Sequence, residues 1–135
     1  MKELRLPRQI VNHVLQHAQS DDKFEVCGLI SEKSGEPYKT YPILNIAESP
    51  DHFYKMDGKQ QIDAMREMRE NNESLFAIYH SHPSSEAYPS KTDIEQSQYP
   101  EAIYIIVSLN TKGVLDLRAF QLIDSEVGSL AVVLV

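Results

Sequence analysis

Apolar side chains that recur every three to four residues predict two helices. The first follows Pro7, which suits a first helical turn, and stops at the polar residues 19–22. Its apolar face consists of Ile10, Val11, Val14, Leu15 and Ala18. The second helix spans residues 59–71, where an apolar stripe is flanked by charged residues. That stripe consists of Ile62, Ala64, Met65 and Met68.

Short apolar runs predict five strands. Residues 26–30 and 75–79 are typical of buried strands, and residues 38–46 should pair with the first of them after a turn at 34–37. Residues 102–109 and 114–122 predict a hairpin. The mixed order of elements indicates an α+β, or mixed α/β, fold with a central mixed β-sheet flanked by helices. Residues 130–135 fit either an edge strand or a partner-binding tail.

Length and composition limit the remaining possibilities. A chain of 135 residues with 41% hydrophobic content predicts one domain over residues 1–135. The net charge of -7 argues against nucleic acid as a partner, because nucleic-acid binders carry a basic face. We expect no membrane anchor, since no apolar run approaches the roughly 20 residues that span a bilayer. The single cysteine, Cys27, and the lack of a secretory signal predict a cytoplasmic protein.

Three residues have the pattern of a catalytic metal site. His80 and His82 alternate at the end of a predicted strand, so their side chains share a face and can reach one ion. Asp93 follows on the first turn of a short helix, predicted to run to about residue 98, and offers a carboxylate oxygen. Three protein ligands leave one coordination position for water, which is typical of catalytic rather than structural zinc.

A zinc-bound water also needs a base that accepts its proton and returns it to the departing amine. A carboxylate that is not a ligand is the natural choice, and Glu25 is the candidate, although spacing alone does not place it near the metal. Ser90 lies three residues before Asp93, where it predicts a helix N-cap. Its hydroxyl could also donate to the oxyanion that forms on the attacked carbonyl.

These residues together resemble the JAMM, or MPN-plus, zinc metalloprotease family. The match comprises His80-Ser81-His82, seven intervening residues, Ser90, two more residues, Asp93 and the upstream Glu25. The resemblance implies an MPN-like domain in which His80, His82 and Asp93 bind zinc, Glu25 is the base and Ser90 supports the oxyanion. The string HSHPSSEAYPSKTDI is most similar to the compact prokaryotic members.

The resemblance also implies a substrate class. Compact members act on the C-terminal Gly-Gly of a ubiquitin-like or sulfur-carrier protein, and some of them release cysteine. The stretch from Asp93 to Tyr104 is too short for the long second insertion with which eukaryotic deubiquitinases hold polyubiquitin. We therefore expect a small ubiquitin-like or sulfur-carrier substrate.

Parts of the sequence are also consistent with other functions or with purely structural roles. A non-catalytic MPN scaffold is the main alternative, but such modules usually lack some of the ligands. A zinc nucleobase deaminase needs a Pro-Cys-x-x-Cys segment, which a chain with Cys27 alone does not have. His13 and His17 are interpreted as a solvated helix face, and Cys27 as a small core residue. His52 lies in the irregular stretch 47–57, which should border the site, but nothing makes it a ligand.

Overall fold

The structure, a computed structural model, describes residues 2–135. In chain order its elements are β1 (Glu3–Leu6), α1 (Arg8–Gln19), β2 (Cys27–Lys33), β3 (Glu36–Ile43), α2 (Gly58–Glu70), β4 (Ser74–His82), α3 (Lys91–Glu95), β5 (Ile103–Ser108), β6 (Asp116–Ile123) and β7 (Glu126–Leu134). All the strands belong to one sheet, in the order β1-β7-β6-β5-β4-β2-β3. The sheet is mixed, because β4 with β5 and β1 with β7 are parallel pairs and the other pairs are antiparallel. The predicted mixed α/β class is confirmed.

The C-terminal strand β7 is an interior strand. It pairs with β6 on one side and with β1 on the other. The strand β1 was not predicted, although Leu4 and Leu6 alternate with the exposed Glu3 and Arg5 as a strand requires. Residues 126–130 pair with β6 and residues 131–134 pair with β1, so the C-terminal residues form a paired strand and not a free tail.

The sheet buries a different core on each face. Strand alternation places Ala77 and Tyr79 of β4 on the side covered by α1, and Ile78 on the side that packs against α2. Met68, from the predicted apolar stripe of α2, belongs to the second cluster. His80 follows Ile78 by two residues and therefore faces the same side as α2.

Gly28 of β2 lies directly opposite Tyr79 of β4. A Cβ atom at Gly28 would lie 2.4 Å from atoms of the Tyr79 ring, so the phenol occupies the space that the glycine leaves. The Tyr79 hydroxyl lies 2.7 Å from Nδ1 of His17. The interpretation of His17 as part of a solvated face is therefore wrong, because its ring bonds to a tyrosine of the sheet.

The helix bounds follow the sequence pattern closely except at the end of α3, but Ile62 of the predicted apolar stripe in α2 is exposed. Helix α1 ends at Gln19 as predicted, and α2 begins after Asp57, whose side chain accepts a hydrogen bond from the Gln60 N–H. Helix α3 ends at Glu95, short of the predicted residue 98, and the Ser97 hydroxyl donates to the Ile94 carbonyl at 2.9 Å. No helix within residues 2–135 is long and apolar enough to cross a membrane.

Candidate active site

His80 and His82 form the floor of the candidate site. Both lie at the C-terminal end of β4, which is flanked by β2 and β5. His80 is 1% exposed and His82 is 3% exposed. Their alternation on one face of the strand brings the two Nε2 atoms to 3.0 Å. The predicted pairing of the two imidazoles is what the sheet geometry produces.

Asp93 reaches the same point from α3. Its backbone N–H donates to Ser90 Oγ at 3.0 Å, and its Oδ2 accepts from the Ser90 N–H at 2.9 Å, which together form a capping box. The same Oδ2 lies 3.1 Å from Nε2 of His80 and 3.2 Å from Nε2 of His82. One carboxylate therefore caps the helix and meets both imidazoles.

These three atoms fit a metal ion. Tetrahedral zinc with bonds of about 2.0 Å separates its ligand atoms by about 3.3 Å, close to the 3.0–3.2 Å between the His80, His82 and Asp93 atoms. His82 Nδ1 lies 2.7 Å from the Glu86 carbonyl oxygen, to which it donates, so the Nε2 lone pair of neutral His82 points into the site. Two imidazoles and one carboxylate are also a donor set that zinc accepts.

Glu25 approaches the histidines from the segment before β2. Its backbone N–H donates to the Pro50 carbonyl at 2.7 Å, and Asn45 Nδ2 donates to its carbonyl at 2.9 Å. The side chain is 5% exposed, and Oε1 has no hydrogen-bond partner within residues 2–135. Ligand-type atoms of Glu25, His80 and His82 lie within 4.8 Å of one another. The fold thus brings Glu25 to the site despite its distance in sequence.

Ser81 ties that segment to the histidine strand. The Val26 N–H donates to Ser81 Oγ at 2.9 Å, and the Ser81 N–H donates to the Val26 carbonyl at 3.0 Å. The side chain of Ser81 faces away from the two imidazoles, because neighbouring residues of a strand point to opposite faces. The middle residue of the His-Ser-His sequence therefore holds the residue next to Glu25.

Burial and hydrogen bonds set the charges of the site. Burial raises the pKa of Glu25 to about 8, against a smaller lowering by His82. Burial also lowers the pKa of His80, which favours the neutral, metal-binding form of the ring. Burial disfavours the ionised Asp93, but hydrogen bonds with His80, His82 and the Ser90 N–H outweigh it and hold the Asp93 pKa well below its usual range. Asp93 is therefore the carboxylate that stays ionised.

Two residues near the histidines were missed by sequence reasoning. Tyr54 stacks on His80, with ring centroids 4.4 Å apart and planes inclined by 28°. Asn45 bonds through its side chain to residues on both sides of Tyr54. Both lie in or next to the aperiodic stretch, where spacing carries no information about contacts. The histidine of that stretch, His52, is exposed beside Asp51.

A cavity of about 930 Å³ adjoins the site. It lies between the loop 44–57 and the segment that begins with α3, and Asp93 and Tyr54 contribute to its wall. Several further lining residues are polar or aromatic: Glu48, Gln61, Glu95, Gln98, Tyr99 and Tyr104. The prediction that the loop borders the site agrees with this arrangement.

Comparison with known proteins identifies one protein family over most of the chain. The family described as prokaryotic homologs of the JAB domain matches residues 7–123. The CysO-cysteine peptidase of Mycobacterium tuberculosis is 36% identical over 120 residues, which cover 87% of this chain and 82% of that protein. The desampylase of Haloferax volcanii is 31% identical over 101 residues, which cover 73% of each chain.

Solved structures agree with that result. A protein from Desulfitobacterium hafniense, 28% identical, superposes with a TM-score of 0.85 over 97% of this chain and 92% of its own. The JAB1/MPN domain protein of Archaeoglobus fulgidus has the same fold, with a TM-score of 0.63 at 19% identity over 96% of this chain and 99% of its own. The similarity to proteins of this fold thus extends over nearly the whole chain.

Proposed function

The chain belongs to the prokaryotic homologs of the JAB domain, and on that premise we propose that it is a zinc-dependent peptidase or isopeptidase. Its proposed substrate is an amide bond at the C-terminal Gly-Gly of a ubiquitin-like or sulfur-carrier protein, with cysteine as one possible leaving group. The observation that carries the proposal is the convergence of His80, His82 and Asp93 on one point, with the Glu25 carboxyl beside them.

We assign the ligands and the base from the geometry described above. His80 Nε2, His82 Nε2 and Asp93 Oδ2 would hold the zinc ion, which when bound acidifies a water molecule and polarises the scissile carbonyl. Glu25 also offers a ligand-type atom within 4.8 Å of both histidines, and we assign it the role of base because three protein ligands leave one coordination position for water. Its buried, unpartnered Oε1 would accept the proton of the attacking water and return it to the nitrogen of the leaving amine. This role needs the carboxylate form of Glu25, which the positive charge of a bound zinc ion would favour against the rise in pKa that burial causes.

We propose that Ser90, the N-cap of α3, also takes part in catalysis. Its oxygen accepts a hydrogen bond from the Asp93 N–H, which leaves the hydroxyl proton free to donate. We propose that this proton stabilises the negative charge that develops on the carbonyl oxygen of the substrate. Ser90→Thr keeps the hydroxyl and should retain more activity than Ser90→Ala, which loses both the donor and the helix cap.

The named relatives support the substrate class. Two of them are called a CysO-cysteine peptidase and a desampylase, and a third is called a probable protease that cleaves TtuB-protein conjugates. We propose that the extended C-terminal tail of a carrier enters the 930 Å³ cavity, with its backbone added to a strand edge. Only residues 96–102 separate α3 from β5, so a long insertion that grips polyubiquitin has no place there.

Two further proposals concern the domain organisation and the cellular location of the protein. We propose that residues 1–135 act as one domain, since the site draws on the segment before β2, on β4, on α3 with its N-cap, and on the loop before α2. We also propose a cytoplasmic location, because Cys27 is buried and unpaired, as suits a reducing compartment. The alternative of a non-catalytic scaffold is disfavoured, because a scaffold has no need for a buried carboxyl beside two converging imidazoles.

Cleavage of a defined adduct tests the proposal. The zinc-loaded protein is incubated with Gly-Gly-terminated sulfur-carrier proteins that bear a C-terminal cysteine, and the intact masses of the products are measured. We expect loss of one cysteine from the carrier, and no loss with the Glu25→Gln variant or after removal of metal by a chelator. Turnover that continues in both controls, or the absence of cleavage of any carrier or ubiquitin-like adduct, would reject the proposed function.

A further inference from the structure

The two histidines of the site are held in different ways. His82 donates from Nδ1 to the carbonyl oxygen of Glu86 at 2.7 Å, the kind of hydrogen bond that fixes the tautomer and rotation of a metal-ligating imidazole. His80 has no equivalent, because its Nδ1 is buried and has no hydrogen-bond partner within residues 2–135. A different contact must therefore set the orientation of the His80 ring.

Tyr54 supplies the contact that covers the face of His80. The two rings lie 4.4 Å apart between centroids, inclined by 28°, which is a stacked arrangement. The edge of His80 meets His82 at 4.8 Å, with the ring planes inclined by 64°. A rotation of His80 about its Cβ–Cγ bond would drive the imidazole into the tyrosine ring, so the stack restricts the direction in which Nε2 points.

The backbone on both sides of Tyr54 is held by one side chain. Asn45 Nδ2 donates to the carbonyl of Phe53 at 3.0 Å, and Asn45 Oδ1 accepts from the N–H of Lys55 at 2.9 Å. The Ile46 N–H adds a bond to the Lys55 carbonyl at 2.8 Å. Although it lies in an irregular loop, Tyr54 is thus anchored from both neighbours and can act as a fixed surface for the imidazole.

From these contacts we propose that Tyr54 is a positioning residue for His80, replacing through ring stacking the hydrogen bond that His80 lacks. The proposal rests on the proposed function in assigning His80 to a metal. It requires the aromatic ring and not the phenol hydroxyl. Loss of the ring should free the imidazole and weaken metal binding, even though Tyr54 itself offers no ligand to the ion.

Two substitutions separate the ring from the hydroxyl. Tyr54→Phe keeps the stack, whereas Tyr54→Leu keeps apolar volume and removes it; Tyr54→Met takes the place of the leucine variant if that variant does not fold. Tyr38→Leu is the matched control, since Tyr38 is an exposed tyrosine on the edge strand β3. Thermal unfolding of the metal-free proteins establishes that each variant is folded.

Zinc affinity is the first measurement, made by competition with a chromophoric chelator. We expect affinity about 10- to 100-fold below the parent for Tyr54→Leu, the range found when outer contacts of metal ligands are removed. Tyr54→Phe and Tyr38→Leu should stay within a few-fold of the parent. The visible spectrum of the cobalt-substituted protein should change in Tyr54→Leu and be preserved in Tyr54→Phe, because it reports ligand geometry.

The second measurement needs no metal. In the metal-free protein, nuclear Overhauser contacts between the ring protons of His80, assigned with His80→Ala, and those of His82 should weaken in Tyr54→Leu and persist in Tyr54→Phe, because they report the orientation of the imidazole. If the parent binds zinc and Tyr54→Leu binds it equally well with unchanged contacts between the His80 and His82 rings, Tyr54 does not position the imidazole. If the parent binds no zinc at all, the proposed function fails and the role of Tyr54 fails with it.

Discussion

Asn45 Nδ2 donates a hydrogen bond of 2.9 Å to the backbone carbonyl of Glu25, twenty residues earlier in the chain. The same side chain bonds to Phe53 and Lys55, so the proposed base and the loop beside the cavity share one anchor. Asn45 itself points no atom at a substrate or a metal. Its contribution is to hold the segment from which Glu25 projects.

Asn45→Ala should therefore reduce catalysis without removing a ligand. We expect a loss of about 1–3 kcal/mol in stability from the broken hydrogen bonds and a fall of roughly 10- to 100-fold in kcat/KM as Glu25 loses its position. Asn71→Ala is the control, because Asn71 bonds only to the Glu67 carbonyl at the exposed end of α2. Equal activities for the two variants would show that the anchor does not matter for catalysis.

Metal content gives the most direct check of the ligand set. Three ligand atoms around one point predict one zinc ion per chain, measured by elemental analysis of protein purified without strong chelators. His80→Ala and His82→Ala should abolish binding, and Asp93→Asn should weaken it because a neutral amide replaces the anion. A parent protein that takes up no zinc, even after zinc is added, contradicts the assignment.

Glu25→Gln separates proton transfer from coordination. The amide has the size of the carboxyl but cannot accept the proton of water at neutral pH, so turnover should fall by about 10²- to 10⁴-fold. Zinc content and thermal stability should stay near those of the parent. Loss of zinc would make Glu25 a ligand or a support of the site, and full activity would place the base elsewhere.

The short connection after α3 leads to a prediction about specificity. Side-by-side assays should show faster cleavage of a small ubiquitin-like or sulfur-carrier adduct than of linked ubiquitin chains, because residues 96–102 leave no room for a gripping insertion. A marked preference for one polyubiquitin linkage, with no activity on any carrier adduct, would argue for a different recognition surface.

Gly28 provides a stability test that does not depend on the activity. Gly28→Ala places a Cβ atom 2.4 Å from the Tyr79 ring, and such overpacking of a core typically costs about 1–3 kcal/mol. Gly128→Ala, in β7, is the matched control because the nearest neighbour of its new Cβ atom would be the Gln121 carbonyl oxygen at 3.9 Å. Denaturant unfolding should show a clear loss of stability for the first variant and little change for the second.

The sequence by itself was sufficient for those features that depend on short-range spacing. Period-two alternation put His80 and His82 on one face of a strand, and the Ser90–Asp93 spacing predicted the capping box. Amphipathic periodicity located α1 and α2 to within a residue or two. These features are local, since they follow from backbone geometry over fewer than about four residues at a time.

The tertiary structure decided everything that depends on strand order. The position of β7 inside the sheet requires pairing with β1 at the opposite end of the chain, and no local pattern records that partner. Glu25 reaches His80 because β2 lies beside β4, and Tyr54 reaches it because Asn45 holds the loop. Such contacts join residues far apart in sequence, and their free energy comes from packing that exists only once the sheet has formed.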